Sequence, residues 1–154
     1  MLKTLVGFPG LAHRCEWVAS IGGVDFFNDS KATNVGSTVA AIRGLGEHAR
    51  GKIVLIAGGV AKGADFTPLR EAVKTHVRSV ILMGQDADRI DAVLHGEVHL
   101  TRAADLTESI DLAVEQSREG DMVLLSPACA SLDMFTGFEQ RGDLFKKIVL
   151  ERNS

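Results

Sequence analysis

Three short segments of this 154-residue chain, Ile53 to Ala57, Val80 to Met83 and Met122 to Leu125, carry almost nothing but apolar side chains. Runs of that length without polar alternation suit strands covered on both faces. The segments between them have apolar residues at helical spacing instead. Val35, Val39 and Ile42 predict a first helix, with Asn34 as its cap and Gly44 at its end. Thr67-Pro68 supplies a cap and a first-turn proline ahead of Leu69 and Val73. Arg78 to Met83 reads as a strand, Asp86 to Leu94 as a short helix, and Val98 to Leu100 as a brief strand. Asp105 and Glu108 stand at capping-box spacing ahead of Ile110 and Val114. A last strand over Met122 to Ser126 precedes a helix expected after Gly142, with Phe145, Ile148 and Val149 inward. Buried strands alternating with amphipathic helices require helices on both sides of a mostly parallel sheet.

Ahead of this pattern, Cys15 to Ile21 and Val24 to Asn28 are strand-like and are joined by Gly22-Gly23, a pair suited to a two-residue hairpin turn. The fold expected is therefore α/β and Rossmann-like, a mostly parallel sheet preceded by a β-hairpin. Val6 to Leu11 mixes glycine and proline with apolar residues, so residues 1–12 read as the remnant of a linker and residues 13–154 as a single domain.

A formal charge of −3 and a pI near 5.9 leave no basic surface suited to nucleic acid. The apolar runs fall far short of the roughly 20 residues that a membrane span needs. No signal peptide is recognisable at Met1 to Gly10, which points to the cytoplasm. Cys15 and Cys129 lack His or Cys neighbours at ligand spacing and read as reduced, structural thiols.

In an open α/β sheet, ligands gather beyond the C-terminal ends of the strands, so the loops after Asn28, Ala57, Met83 and Ser126 carry the chemistry. Asn28-Asp-Ser-Lys-Ala-Thr-Asn34 brings a carboxylate, a cation and hydroxyls to a helix N-terminus. Such a terminus favours an anion, with Lys31 and Thr33 as donors, and Asp29 suits a sugar diol. A loop that merely caps its helix is the plainer alternative. The second loop, Gly58 to Phe66, is glycine-rich but is no Walker loop, because Gly63 is followed by Ala64-Asp65. No strand–helix junction shows Gly-x-Gly-x-x-Gly either. Lys62 is left as a cation able to clamp a carboxylate, or as a solvated surface lysine. The third loop, Ser126 to Phe135, is built of small residues with Ser131 as a hydroxyl donor.

Three stretches, Asn28-Asp-Ser-Lys-Ala-Thr-Asn34, Ser126-Pro-Ala-Cys-Ala-Ser131 and Phe138-Glu-Gln-Arg-Gly-Asp143, resemble signature segments of the Mur ligase family in its D-glutamate-adding branch, in the same order. The likeness runs from His13-Arg14 to the last helix and covers the final third of such enzymes. It implies a substrate-binding part of an ATP-dependent amide ligase in peptidoglycan synthesis, inactive alone and monomeric. ATP and Mg2+ would be bound mainly by an absent central domain, and UDP-N-acetylmuramoyl-L-alanine by the other domains. Within this chain, His13, Arg14, Asp29 and Lys31 would meet ATP. Thr33, Lys62, Ser131 and the backbone at Leu132 and Phe138 would hold D-glutamate, with no metal ligand and no catalytic residue here. Family members often carry an acidic residue shortly before the lysine, where this chain has Val60-Ala61. A stand-alone Rossmann-like binding module and a folylpolyglutamate-synthase-like ligase domain are the competing readings.

Overall fold

The computed structural model describes residues 12–131 and 134–153, so the expected linker (apart from Ala12) and Leu132 lie outside the described residues. Glu16–Ile21 (β1) and Val24–Asn28 (β2) form the hairpin, and Gly22 and Gly23 turn it with φ of 57° and 81°. β1 starts at Glu16 rather than Cys15, whose φ of 46° lies outside extended backbone. There follow α1 (Val35–Gly46), β3 (Ile53–Ala57), α2 (Leu69–His76), β4 (Val77–Leu82), α3 (Ala87–Leu94), β5 (His99–Arg102), α4 (Leu106–Gln116), β6 (Met122–Leu125) and α5 (Phe138–Arg152).

The strands form one sheet in the order β1-β2-β6-β3-β4-β5, antiparallel only at the β1–β2 hairpin. Every residue of β3 and β6 is buried, as their uninterrupted apolar runs predict. Alternate side chains serve opposite faces. Phe27, Leu55 and Leu124 join Ile42 and Leu45 of α1, Leu69 of α2 and Ile90 of α3 in one core. Phe26, Ile56 and Leu125 join Ile110 of α4 and Phe145 and Val149 of α5 in the other. The sheet is therefore covered on both sides by apolar helix faces, the dominant favourable term in its stability.

The caps explain where the helices begin. Asn34 Oδ1 accepts the Ser37 N–H at 2.9 Å, and Asp105 Oδ1 accepts the Glu108 N–H at 2.9 Å. Three expected boundaries differ. α1 runs past Gly44 to Gly46, since the buried Leu45 still belongs to its apolar stripe. Thr67 makes no side-chain cap; the Asp65 carboxylate accepts the Thr67 N–H instead, and α2 starts at Leu69. α5 begins four residues before Gly142, which sits inside the helix because a closely packed neighbour needs its missing side chain. At the edge of the sheet remote from the strand C-termini, buried Asp121 accepts a fork from Arg78 at 2.7 and 3.0 Å and backbone N–H groups of Lys52 and Arg118.

Candidate functional site

Parallel pairing sets the site. Asn28 of β2 and Ile56 of β3 both lie opposite Leu125 of β6, so the residues after these strands emerge side by side. The ladder continues one step further: the Asp29 N–H reaches the Leu125 carbonyl at 2.8 Å, and the Ser126 N–H reaches the Ile56 carbonyl at 3.2 Å. The loop after β2 leads to α1 on one face and the loop after β6 leads to α5 on the other. Such a divergence opens a crevice at the sheet edge, the usual place for a ligand in this architecture.

Asp29 is the polar centre of that crevice. Only 4% exposed, it accepts the Cys15 N–H on Oδ1 at 3.0 Å and the Ser126 hydroxyl on Oδ2 at 2.7 Å. Burial pushes its pKa up to about 6, against the opposing pull of those hydrogen bonds and of the Arg14 charge. The Cys15 thiol also hydrogen-bonds this carboxylate, which leaves about one of its four lone-pair sites for an outside donor. Arg14, Cys15, Asp29 and Lys31, with Ser37 and Ala41 of α1, line a cavity of about 270 Å³. Arg14 and Lys31 are exposed and have no ion pair among the described residues. Two cations beside one carboxylate suit an anion that also carries hydroxyl donors. The Cys15 thiol is pushed far up, first by burial and then by the Asp29 carboxylate, which removes any nucleophilic role at neutral pH.

The expected dicarboxylate residues lie on loops stitched to this crevice. Val60 and Ala130 form an antiparallel bridge with N···O distances of 2.9 and 3.1 Å, placing Lys62 and Ser131 just beyond a shared anchor. Gly58 donates to the Pro127 carbonyl at 3.0 Å, and Ala128 to that of Ala32 at 3.0 Å. A side chain at Gly58 would collide with the Met83 carbonyl, so this crossing needs glycine, as its φ of 124° also does. Lys62 sits exposed on a turn with φ of 51°; Thr33 is exposed and Ser131 buried, and no hydrogen bond among the described residues joins the three. Phe138 opens α5, which has no side-chain cap, and its carbonyl accepts the Ser30 hydroxyl at 2.7 Å. His13 does not line the cavity. Its ring is buried against α5, edge-on to Phe138 with centroids 5.9 Å apart.

Sequence reasoning missed Arg141, which is 1% exposed. Its guanidinium donates to the Ser30 hydroxyl at 2.9 Å, the Ser30 carbonyl at 2.8 Å and the Cys129 carbonyl at 3.3 Å. It thus ties α5 to the loops after β2 and β6. The signal was available: Phe138, Arg141 and Phe145 share one helical stripe, and an arginine on an apolar stripe has a buried task. Among the described residues no group of three or more His, Cys, Asp or Glu side chains gathers to hold a metal, and no helix is long and apolar enough to cross a membrane.

Residues 13–129 match the sequence profile described as Mur ligase, glutamate ligase domain. The chain is 57% identical over 151 residues, 98% of its length, to the UDP-N-acetylmuramoylalanine--D-glutamate ligase of Pseudomonas aeruginosa, of which it covers 34%. It is 52% identical to that of Legionella pneumophila, over 97% of this chain and 33% of the relative. It therefore spans about a third of the length of these relatives. The fold is similar to the crystal structures of MurF ligase from Thermotoga maritima in complex with ADP (TM-score 0.64, 16% identity, 95% of this chain and 33% of that one) and of E. coli FolC in complex with ADP (TM-score 0.66, 15% identity, 94% and 33%).

Proposed function

We propose, from the premise that this chain belongs to the Mur ligase family through its glutamate ligase domain, that it is the D-glutamate-delivering part of an ATP-dependent amide ligase acting on UDP-N-acetylmuramoyl-L-alanine. The observation that carries the reading is a cation-lined cavity around a buried carboxylate, beside which the Ala128–Ala32 hydrogen bond and the Val60–Ala130 bridge bring the loops bearing Lys62 and Ser131. Fold likeness is as great to FolC as to MurF, so the choice of D-glutamate over another acceptor rests on the closer sequence relatives.

In this reading Arg14 and Lys31 take phosphate oxygens and Asp29 takes the ribose hydroxyls of ATP. Thr33, Lys62, Ser131 and the backbone at Leu132 and Phe138 hold the two carboxylates of D-glutamate. In the whole ligase, ATP phosphorylates the substrate carboxyl. The D-glutamate amine then attacks the acyl phosphate, and the tetrahedral intermediate collapses to an amide with release of ADP and phosphate. The share of this chain is positioning: it holds the amine at a fixed place and brings it up as the parts close. Mg2+ would stabilise charge on the phosphates, held mainly by parts of the ligase beyond this chain. A reaction that spends ATP on a nucleotide-linked precursor belongs in the cytoplasm.

Titrating D-glutamate and L-glutamate into the isotopically labelled chain tests the assignment. Amide shifts at Thr33, Lys62, Ser131 and Phe138 with the D-isomer alone support it. Equal shifts with both isomers, or a preference for the L-isomer, would transfer the chain to a different glutamate ligase.

A further inference from the structure

His13 has a backbone φ of 64°, a region that costs a histidine energy and needs a reason. Its surroundings supply one. Asn28 Oδ1 accepts the Ser30 N–H at 3.1 Å, so its amide nitrogen is turned toward His13 Nδ1 at 3.0 Å and Glu16 Oε1 at 3.2 Å. Nδ1 must then be the acceptor, and the ring proton of the neutral imidazole sits on Nε2, 3.6 Å from Asp143. The ring can seat there only because α5 has a gap: a Cβ on Gly142 would overlap His13 Nδ1 and stand 3.0 Å from Asn28 Nδ2. At the backbone, the His13 N–H goes to Glu16 Oε1 at 3.1 Å, and the His13 carbonyl accepts the Lys31 N–H at 2.9 Å. The residue thus holds one cavity cation, Lys31, directly by its carbonyl and the other, Arg14, as its neighbour in the chain.

We infer that His13 is a positioning residue: seated in the Gly142 gap as the Nε2–H tautomer accepting from Asn28, it fixes the left-handed turn that aims Arg14 into the cavity beside Lys31. Only the identity of the anion rests on the nucleotide reading above.

Asparagine is the informative replacement, because its amide oxygen can stand where Nδ1 stands and it tolerates a left-handed backbone. Glutamine carries its oxygen one carbon further out and has no such tolerance. The experiment is long-range 1H–15N NMR of the imidazole in this chain, followed by ATP titration monitored at the Arg14 and Lys31 amides. The wild type should show a protonated Nε2. His13→Asn should bind ATP within about threefold of wild type, whereas His13→Ala and His13→Gln should weaken it by about tenfold or more. Gly142→Ala should weaken binding as His13→Ala does, and should add nothing in the His13→Ala background, where the ring it displaces is gone. An Nδ1–H tautomer, or wild-type affinity in His13→Gln, would overturn the proposal. If the wild type binds no ATP, the nucleotide reading falls by itself. The positioning role is then still decided by the tautomer and by the Arg14 amide resonance, which must move in His13→Ala and His13→Gln and stay in place in His13→Asn.

Discussion

Two carboxylates at opposite ends of the sheet obey opposite pH rules. Asp29 has a folded pKa of about 6, raised by burial above the usual value near 3.8. Folding therefore favours its protonated form, and its contribution to stability is full below pH 3.8 and declines as the pH rises through about 6. Holding it ionised at neutral pH costs about 3 kcal/mol, and a chain that bears this cost at a ligand crevice is keeping a charge for something other than stability. Asp29→Asn should be more stable than wild type at pH 7 by about 1–3 kcal/mol and should show a flatter urea midpoint between pH 4 and 6, while losing ATP binding. A variant that keeps the wild-type pH slope would show that another group titrates there. Asp121 behaves the other way. Burial raises its pKa, but the Arg78 fork and the Lys52 and Arg118 N–H groups outweigh burial and hold it below the usual value. Its contribution is present above pH 3.8 and lost as the pH falls through that lowered value. Asp121→Asn should cost about 3 kcal/mol by chemical denaturation, since it strands a half-buried guanidinium.

At the level of elements, those with one physical cause were legible and those with two were not. β3 and β6 could be read from sequence because burial on both faces erases every polar position. The caps at Asn34 and Asp105 could be read because a side-chain oxygen three residues before an unpaired N–H has one obvious use; Asn34→Ala should lower stability by about 1 kcal/mol in urea unfolding. α5 was misread at its start. Gly142 looks like a boundary in one dimension, and only the third dimension shows His13 and Asn28 filling the space a side chain would take. Replacing it with alanine gains about 1 kcal/mol of helix propensity and loses about 1–3 kcal/mol to overpacking, so thermal unfolding of Gly142→Ala should move down rather than up. Of the candidate site, the loops were legible and the internal wiring was not. Arg14, Asp29 and Lys31 do share a cavity, but the Arg141–Ser30–Phe138 chain and the inward-facing His13 ring depend on pairings 15 to 111 residues apart in sequence, which no local pattern encodes.

For the whole molecule, the order of the strands matters more than any one contact. β6 lies between β2 and β3, and the hairpin touches the rest of the sheet only through it. Asp29 receives its Ser126 hydroxyl, and Lys62 its anchoring loop, from residues that follow β6. During synthesis, everything up to Asp121 can make two separate pieces of sheet, a hairpin and the β3-β4-β5 unit, that have no edge in common. Met122 and the residues after it must therefore leave the ribosome before the crevice between these loops can form. Until then the facing edges of β2 and β3 stand open to any other strand, including one from a neighbouring nascent chain, so this domain's exposure to mispairing should be concentrated in the interval before β6 inserts.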